Sequence, residues 1–222
     1  QAFGLSAWPS DEKPRGWLTE PDGETRGTVL VFHGNAGSAL HRGYYGEALR
    51  PLGYRVLLVE YPGYGGRPGK PSQKTILRDA LDSLALAREQ FDGPFILWGE
   101  SIGASVAALV AGEQPEQVDG LVMLTPWDSL QNVGQELYPW LPVRWLILDR
   151  YDSVEALRNY PGPVAFLTAA RDRIVPAPHS RRLIESYEGS AMVHEFPHGG
   201  HNSWPSGPRM AWWREVMDFV VP

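Results

Sequence analysis

Three residues, each near the end of an apolar run, are of the types that together activate a hydroxyl. Ser101 sits in Gly-Glu-Ser-Ile-Gly (99–103), straight after the run 95–99 and before a small, apolar stretch at 101–112. Gly-x-Ser-x-Gly between a strand and a helix fits a nucleophile elbow: the serine takes a tight, strained turn, and the glycines let strand and helix close together. The pentapeptide is a weak signal alone, and a serine capping a helix would explain it. A serine nucleophile needs a base, and the base needs an orienting acid. Of six histidines, His201 follows the last apolar run in the glycine-rich loop 197–204 and is the expected base, with His198 as second choice. In the stretch 166–176, Asp172 falls at the carboxyl edge of a strand and is the expected acid. Asp128 in Thr-Pro-Trp-Asp-Ser (125–129) is the alternative, its plain role being to cap the next helix.

Acyl transfer also needs donors for an oxyanion. The first long apolar run ends in His-Gly-Asn-Ala-Gly-Ser (33–38), where Gly34 and Gly37 leave backbone amides uncovered. The Asn35 N–H is expected to face the same point as the Ile102 N–H, which opens a helix. The Asn35 side chain would then be free for a polar substrate group. His33 reads as a hydrogen bonder below the loop, and His194, inside a strand, as structural. Glu100, beside the serine, either braces the elbow or faces the substrate.

Other chemistries find less support. The loop 61–72 is glycine-rich, but Tyr64, Pro68 and Pro71 occupy positions that a Walker A or a dinucleotide-binding motif requires to be Gly or Ser/Thr. No metal spacing is found, and the expected mechanism needs no cofactor. The chain has no cysteine, which removes disulfides and thiol catalysis. Its net charge of −6 argues against nucleic acid as a partner, because phosphate binding needs a basic surface.

The elements that must position these residues alternate. Apolar runs at 28–33, 55–60, 95–99, 119–125, 163–169 and 191–196 are mostly apolar on both parities, as in strands covered on both faces. Helical patterns lie at 72–90, 101–112 (ended by Gly112), 178–189 and 203–221. This is an α/β pattern: a mostly parallel sheet with helices on both faces. Residues 15–33, with Pro-Asp-Gly at 21–23, read as an antiparallel edge hairpin leading into the sheet. A single domain over 1–222 is expected, 43% apolar and so able to fill a core. Its one long interruption, 126–162, reads as a short cap whose Trp127, Tyr138, Trp140 and Trp145 would line an apolar substrate pocket. The bland alternative is core filling. The sequence opens Gln-Ala-Phe rather than on Met, so a removed upstream segment is expected. That segment would be a route to membrane association, with a lean to an exported or cell-envelope protein. Nothing in the sequence sets the oligomeric state.

In order and spacing, 31–38, 56–65, 99–105, 168–176 and 199–202 resemble the α/β-hydrolase serine esterases. The likeness is greatest to small ABHD-type depalmitoylase-like hydrolases and their bacterial relatives, and it runs over about 15–220. It implies the α/β-hydrolase fold, the chain order Ser101, Asp172, His201, and Asn35 and Ile102 as oxyanion amides. It also implies hydrolysis of a small-molecule ester or thioester through an acyl-enzyme. A peptidase or amidase, a haloperoxidase-like activity, or a non-enzymatic binding protein with a retained triad are the competing expectations.

Overall fold

A computed structural model describes residues 4–221; Gln1, Ala2, Phe3 and Pro222 lie outside the described residues. Its strands are β1 (Ser6–Trp8), β2 (Gly16–Thr19), β3 (Gly27–Phe32), β4 (Tyr54–Val59), β5 (Phe95–Glu100), β6 (Gly120–Leu124), β7 (Val164–Ala169) and β8 (Ala191–Phe196). They form one sheet in the order β1-β2-β4-β3-β5-β6-β7-β8, parallel from β4 to β8. The helices are α1 (Tyr44–Leu49), α2 (Gln73–Gln90), α3 (Ile102–Glu113), α4 (Leu130–Leu137), α5 (Val143–Leu146), α6 (Ser153–Leu157), α7 (Ala177–Ser186) and α8 (Trp212–Val220).

Side chains alternate across a strand, so each central strand feeds two cores. Leu30, Phe32 and Leu97 pack with α2 and α3 on one face. Val29, Val31 and Trp98 pack with α1 and α8 on the other. Because both faces are covered, β3, β5 and β6 are buried at every position. The edge strand β8 is half open and alternates. Ser72 caps α2, its Oγ accepting from the Thr75 N–H at 3.2 Å.

Several sequence boundaries are corrected. The antiparallel hairpin is made by β1 and β2, paired Ser6↔Leu18 to Trp8↔Gly16. The Pro-Asp-Gly turn leads from β2 to β3, but β4 lies between those two strands. A three-residue β1 carries too little pattern to be seen in sequence. Gly112 does not end α3, which runs to Glu113. A Cβ there would lie 2.3 Å from the Ala156 carbonyl oxygen, so this glycine lets α6 approach α3. The last helix begins at Trp212, not near 203, since Pro205, Gly207 and Pro208 break the pattern. The Trp212 and Trp213 indoles donate to the Pro205 and Gly207 carbonyls and hold that stretch on the helix.

Candidate active site

Ser101 follows β5 at φ 56°, ψ −117°, a left-handed backbone that a serine adopts only when its surroundings impose it. The surroundings are two contacts that exclude any side chain. A Cβ on Gly99 would lie 2.1 Å from the Gly103 carbonyl oxygen, and one on Gly103 would lie 2.0 Å from that of Phe32. With strand and helix this close, the chain can turn only by throwing residue 101 outward.

The loop after β8 brings His201 to it. The Ser101 Oγ–H donates to His201 Nε2 at 2.8 Å, across 100 residues of chain. The opposite ring nitrogen, Nδ1–H, donates to Asp172 Oδ2 at 2.7 Å. Asp172 Oδ1 accepts the Ile174 and Val175 N–H groups, each at 2.8 Å. The carboxylate therefore holds its own loop with one oxygen and the imidazole with the other. Both side chains are only 7% exposed, although Pro197, His198, Asn202 and Ser203 of the same loop are exposed. With its proton on Nδ1, the ring presents a lone pair to the serine.

The alternatives lie elsewhere. His198 is exposed and pairs with Arg171. Asp128 is buried against α7, accepting from Ser129 N, Asn132 Nδ2, His179 Nδ1 and Arg182 Nε. Burial pushes the Asp128 carboxyl up, but these donors outweigh it and hold the carboxyl below its usual range. His33 is buried, its Nδ1–H donating to the Gly34 carbonyl and its Nε2 lying 2.9 Å from Glu60 Oε1. Ile102 heads α3, so its N–H has no carbonyl a turn below. Asn35 lies in the loop facing it. The Asn35 side-chain oxygen is not free, as expected, but accepts from the Tyr64 hydroxyl at 2.8 Å.

A cavity of about 530 Å³ opens over Ser101, Asn35 and His201. Leu124, Ile174 and Trp204 form its apolar wall, and Arg42, Tyr44 and Glu100 its polar one. None of the four aromatic residues expected to line a pocket does so. Trp127 is buried with Val133 and Val175 below α4. Tyr138, Trp140 and Trp145 are 51%, 75% and 87% exposed and face outward. Pro139 and Pro142 interrupt the segment, and α5 spans only four residues.

The polar wall is the part of the site that motif reasoning misses. Glu100 Oε2 accepts from Arg42 Nε at 2.8 Å, and Oε1 accepts from the Tyr45 hydroxyl at 2.8 Å and from that of Tyr44. Burial and the nearby carboxylate push both phenols well above their usual range, so both remain donors. The sequence does hold a signal for it. A carboxylate directly after a buried strand must find a cation or donors, and Arg42 follows the His-Gly-Asn-Ala-Gly loop by five residues.

A mostly parallel sheet with a serine elbow, and with histidine and aspartate on later strand ends, defines the α/β-hydrolase class. The chain belongs to that class, in the family described as Serine aminopeptidase, S33, whose model matches residues 23–148. It is 38% identical over 209 residues to an uncharacterized protein of Mycobacterium tuberculosis, covering 92% of this chain and 72% of that one. It is 27% identical over 226 residues to the alpha/beta hydrolase domain-containing protein WAV2 of Arabidopsis thaliana (92% and 73% covered). It is 26% identical over 203 residues to the lysophosphatidylserine lipase ABHD12 of Mus musculus, spanning 83% of this chain and about half, 51%, of the relative. Among solved structures, Est1E from Butyrivibrio proteoclasticus with bound ferulic acid superposes with a TM-score of 0.76 at 18% identity, covering 97% and 93% of the two chains. The monoacylglycerol lipase of Paleococcus ferrophilus does so with 0.70 at 21%, covering 93% and 98%. At these identities the structural likeness shows the fold. Among the described residues, no helix is long and apolar enough to cross a membrane.

Proposed function

We propose that the protein is a serine hydrolase that cleaves small-molecule carboxylic esters or thioesters through an acyl-enzyme. The observation that carries this is the unbroken chain Ser101 Oγ, His201, Asp172, at 2.8 and 2.7 Å, on a backbone strained to present the serine. His201 Nε2 takes the Ser101 proton as Oγ attacks the carbonyl carbon, and Asp172 stabilises the resulting imidazolium. The negative charge that develops on the carbonyl oxygen meets the Asn35 and Ile102 amides. His201 then returns the proton to the leaving alcohol or thiol. Water, deprotonated by the same nitrogen, releases the acid and frees Ser101. Each proton passes through one imidazole nitrogen, and no further group is needed.

A cavity of this size with one apolar wall suits acyl chains of short to medium length. The relative and the structural neighbour named as lipases are in keeping with it. Residues 126–162 act as a partial cap. Leu130 and Val133 of α4, with Trp127, cover Ile102 and Val175 beside the elbow. An aminopeptidase reading, which the family description invites, needs a carboxylate free to bind an amino terminus. Glu100 has both oxygens occupied, and Glu136 lies 3.0 Å from His179 Nε2, not among the residues lining the cavity.

The test is a p-nitrophenyl acyl series, ester against thioester, with a fluorophosphonate probe in parallel. Hydrolysis and labelling are expected in the wild type, and loss of both in Ser101→Ala. Folded wild-type protein that neither turns over nor labels would refute the proposal.

A further inference from the structure

The Gly34–Gly37 loop is flanked by two buried carboxylates, and acyl transfer through Ser101, His201 and Asp172 uses neither. Glu60 works on the inner side. Its Oε2 accepts the Ala39 N–H at 3.0 Å and its Oε1 meets His33, so it secures the two ends of the loop. Glu100 works on the outer side, through Arg42. We propose that Arg42 and Glu100 are positioning residues: a strap that sets the Asn35 amide against Ser101, and so acts on the transition state rather than on substrate binding. The inference rests on the hydrolase reading and deepens it.

The strap has three points of attachment. Glu100 is the residue before Ser101, and its carboxylate carries three donors: Arg42, Tyr44 and Tyr45. Tyr44 and Tyr45 open α1, so the carboxylate is pinned to a helix as well as to its strand. At the far end, Arg42 Nη2 donates to the Ala36 carbonyl at 3.3 Å, and among the described residues no other donor holds that oxygen. The loop runs in contact with both ends. Gly37, at φ 88°, has its Cβ position 3.2 Å from Arg42 Nη1, and that of Gly34 is 3.6 Å from Ser101 Cβ. The Cβ position of Gly34, the residue whose carbonyl carbon bears the Asn35 N–H, is also 3.9 Å from Arg42 Nη2, so Gly34 touches both the guanidinium and the nucleophile.

Electrostatics gives the pair a second reason to exist. A lone carboxylate one residue from Ser101 would oppose an oxyanion. Paired with Arg42, it adds no net charge. The pair is largely buried, so removing one partner leaves a charge without compensation. Lysine is not an equivalent at position 42, because an ammonium cannot extend one planar fork to both Glu100 and Ala36.

The experiment compares Arg42→Lys, Glu100→Gln and the milder Tyr44→Phe with the wild type on p-nitrophenyl butyrate. Rates are divided by the active sites titrated with fluorophosphonate, and phenylboronic acid, which binds serine as a tetrahedral anion, is titrated in parallel. For Arg42→Lys and Glu100→Gln, kcat per site is expected to fall roughly 10- to 100-fold, less than loss of a whole oxyanion donor. KM should move less than about threefold, and boronic acid affinity should fall with kcat. Tyr44→Phe, which leaves the ion pair, should shift the same parameters in the same direction but less. Three results would overturn the inference alone: an unchanged kcat per site with only a lower melting temperature, a rise in KM at constant kcat, or full recovery of rate and boronic acid affinity by lysine. A wild type that neither labels nor hydrolyses would overturn the hydrolase reading and the strap with it.

Discussion

Gly103→Ala would test whether packing between β3 and α3 creates the elbow. The added Cβ falls 2.0 Å from the Phe32 carbonyl oxygen, 2.6 Å from its carbon and 2.7 Å from the His33 carbonyl oxygen. Ordinary contact begins near 3.4 Å, and all three neighbours are backbone atoms of β3 or of the residue that follows it, which cannot rotate away as a side chain can. Helix α3 must therefore withdraw by more than about 1 Å, in an interior packed as densely as a crystal. Overpacking of this kind costs about 1–3 kcal/mol. At this chain length that lowers the melting temperature by roughly 2–12 °C. The same retreat moves Ser101 and the Ile102 amide away from Asn35, and a misplacement of about 1 Å costs on the order of 10² in rate. The assay is thermal unfolding by circular dichroism, with kcat for p-nitrophenyl butyrate per titrated site. Gly23→Ala is the control, because a Cβ there meets open space. If Gly103→Ala melts with the control and keeps its kcat, the close contact is not what shapes the elbow.

Three further outcomes are expected. In Asp172→Asn the amide oxygen is needed by the Ile174 and Val175 N–H groups, so the NH₂ turns to His201 Nδ1 and imposes the wrong tautomer. The rate should fall by roughly 10⁴ with little change in melting temperature, and a loss of less than about tenfold contradicts the assignment. Glu60→Ala leaves His33 Nε2 and the Ala39 N–H buried without their partner, at roughly 1–3 kcal/mol each; a urea unfolding free energy within about 1 kcal/mol of wild type would speak against that accounting. Asp128 titrates below its usual range when folded, so its stabilisation is complete above the ordinary carboxylate value and is lost as pH falls through the folded one. Melting curves from neutral to acid pH should therefore show Asp128→Asn well below wild type near neutrality and converging with it in acid.

The parts legible in the sequence are those where one physical cause acts over a contiguous stretch. Strands β3 to β7 are covered on both faces, so each is a run of apolar residues that no loop would carry. Ser101, Asp172 and His201 stand out because each closes such a run or follows one. Ser72 announces the start of α2 because a capping hydroxyl acts within one turn. What the sequence hides depends on partners far apart in the chain. Arg42 and Glu100 are 58 residues apart, and neither belongs to a motif that names the other. The cap misleads for a different reason. Aromatic and leucine residues usually mark a buried face, and only the fold reveals that Trp140 and Trp145 are exposed and do not line the cavity. Trp127 instead follows the bland alternative, core filling, and packs with Val133 and Val175.

The strain at Ser101 makes this position a conflict between two selective pressures. A φ of 56° is free to glycine and costs any other residue about 1–3 kcal/mol. Ser101→Gly is thus a substitution that relaxes the backbone and removes the hydroxyl in a single step. A screen that rewards heat resistance alone would find position 101 and discard the chemistry. By the same logic, a lineage released from the need for catalysis would drift towards glycine here.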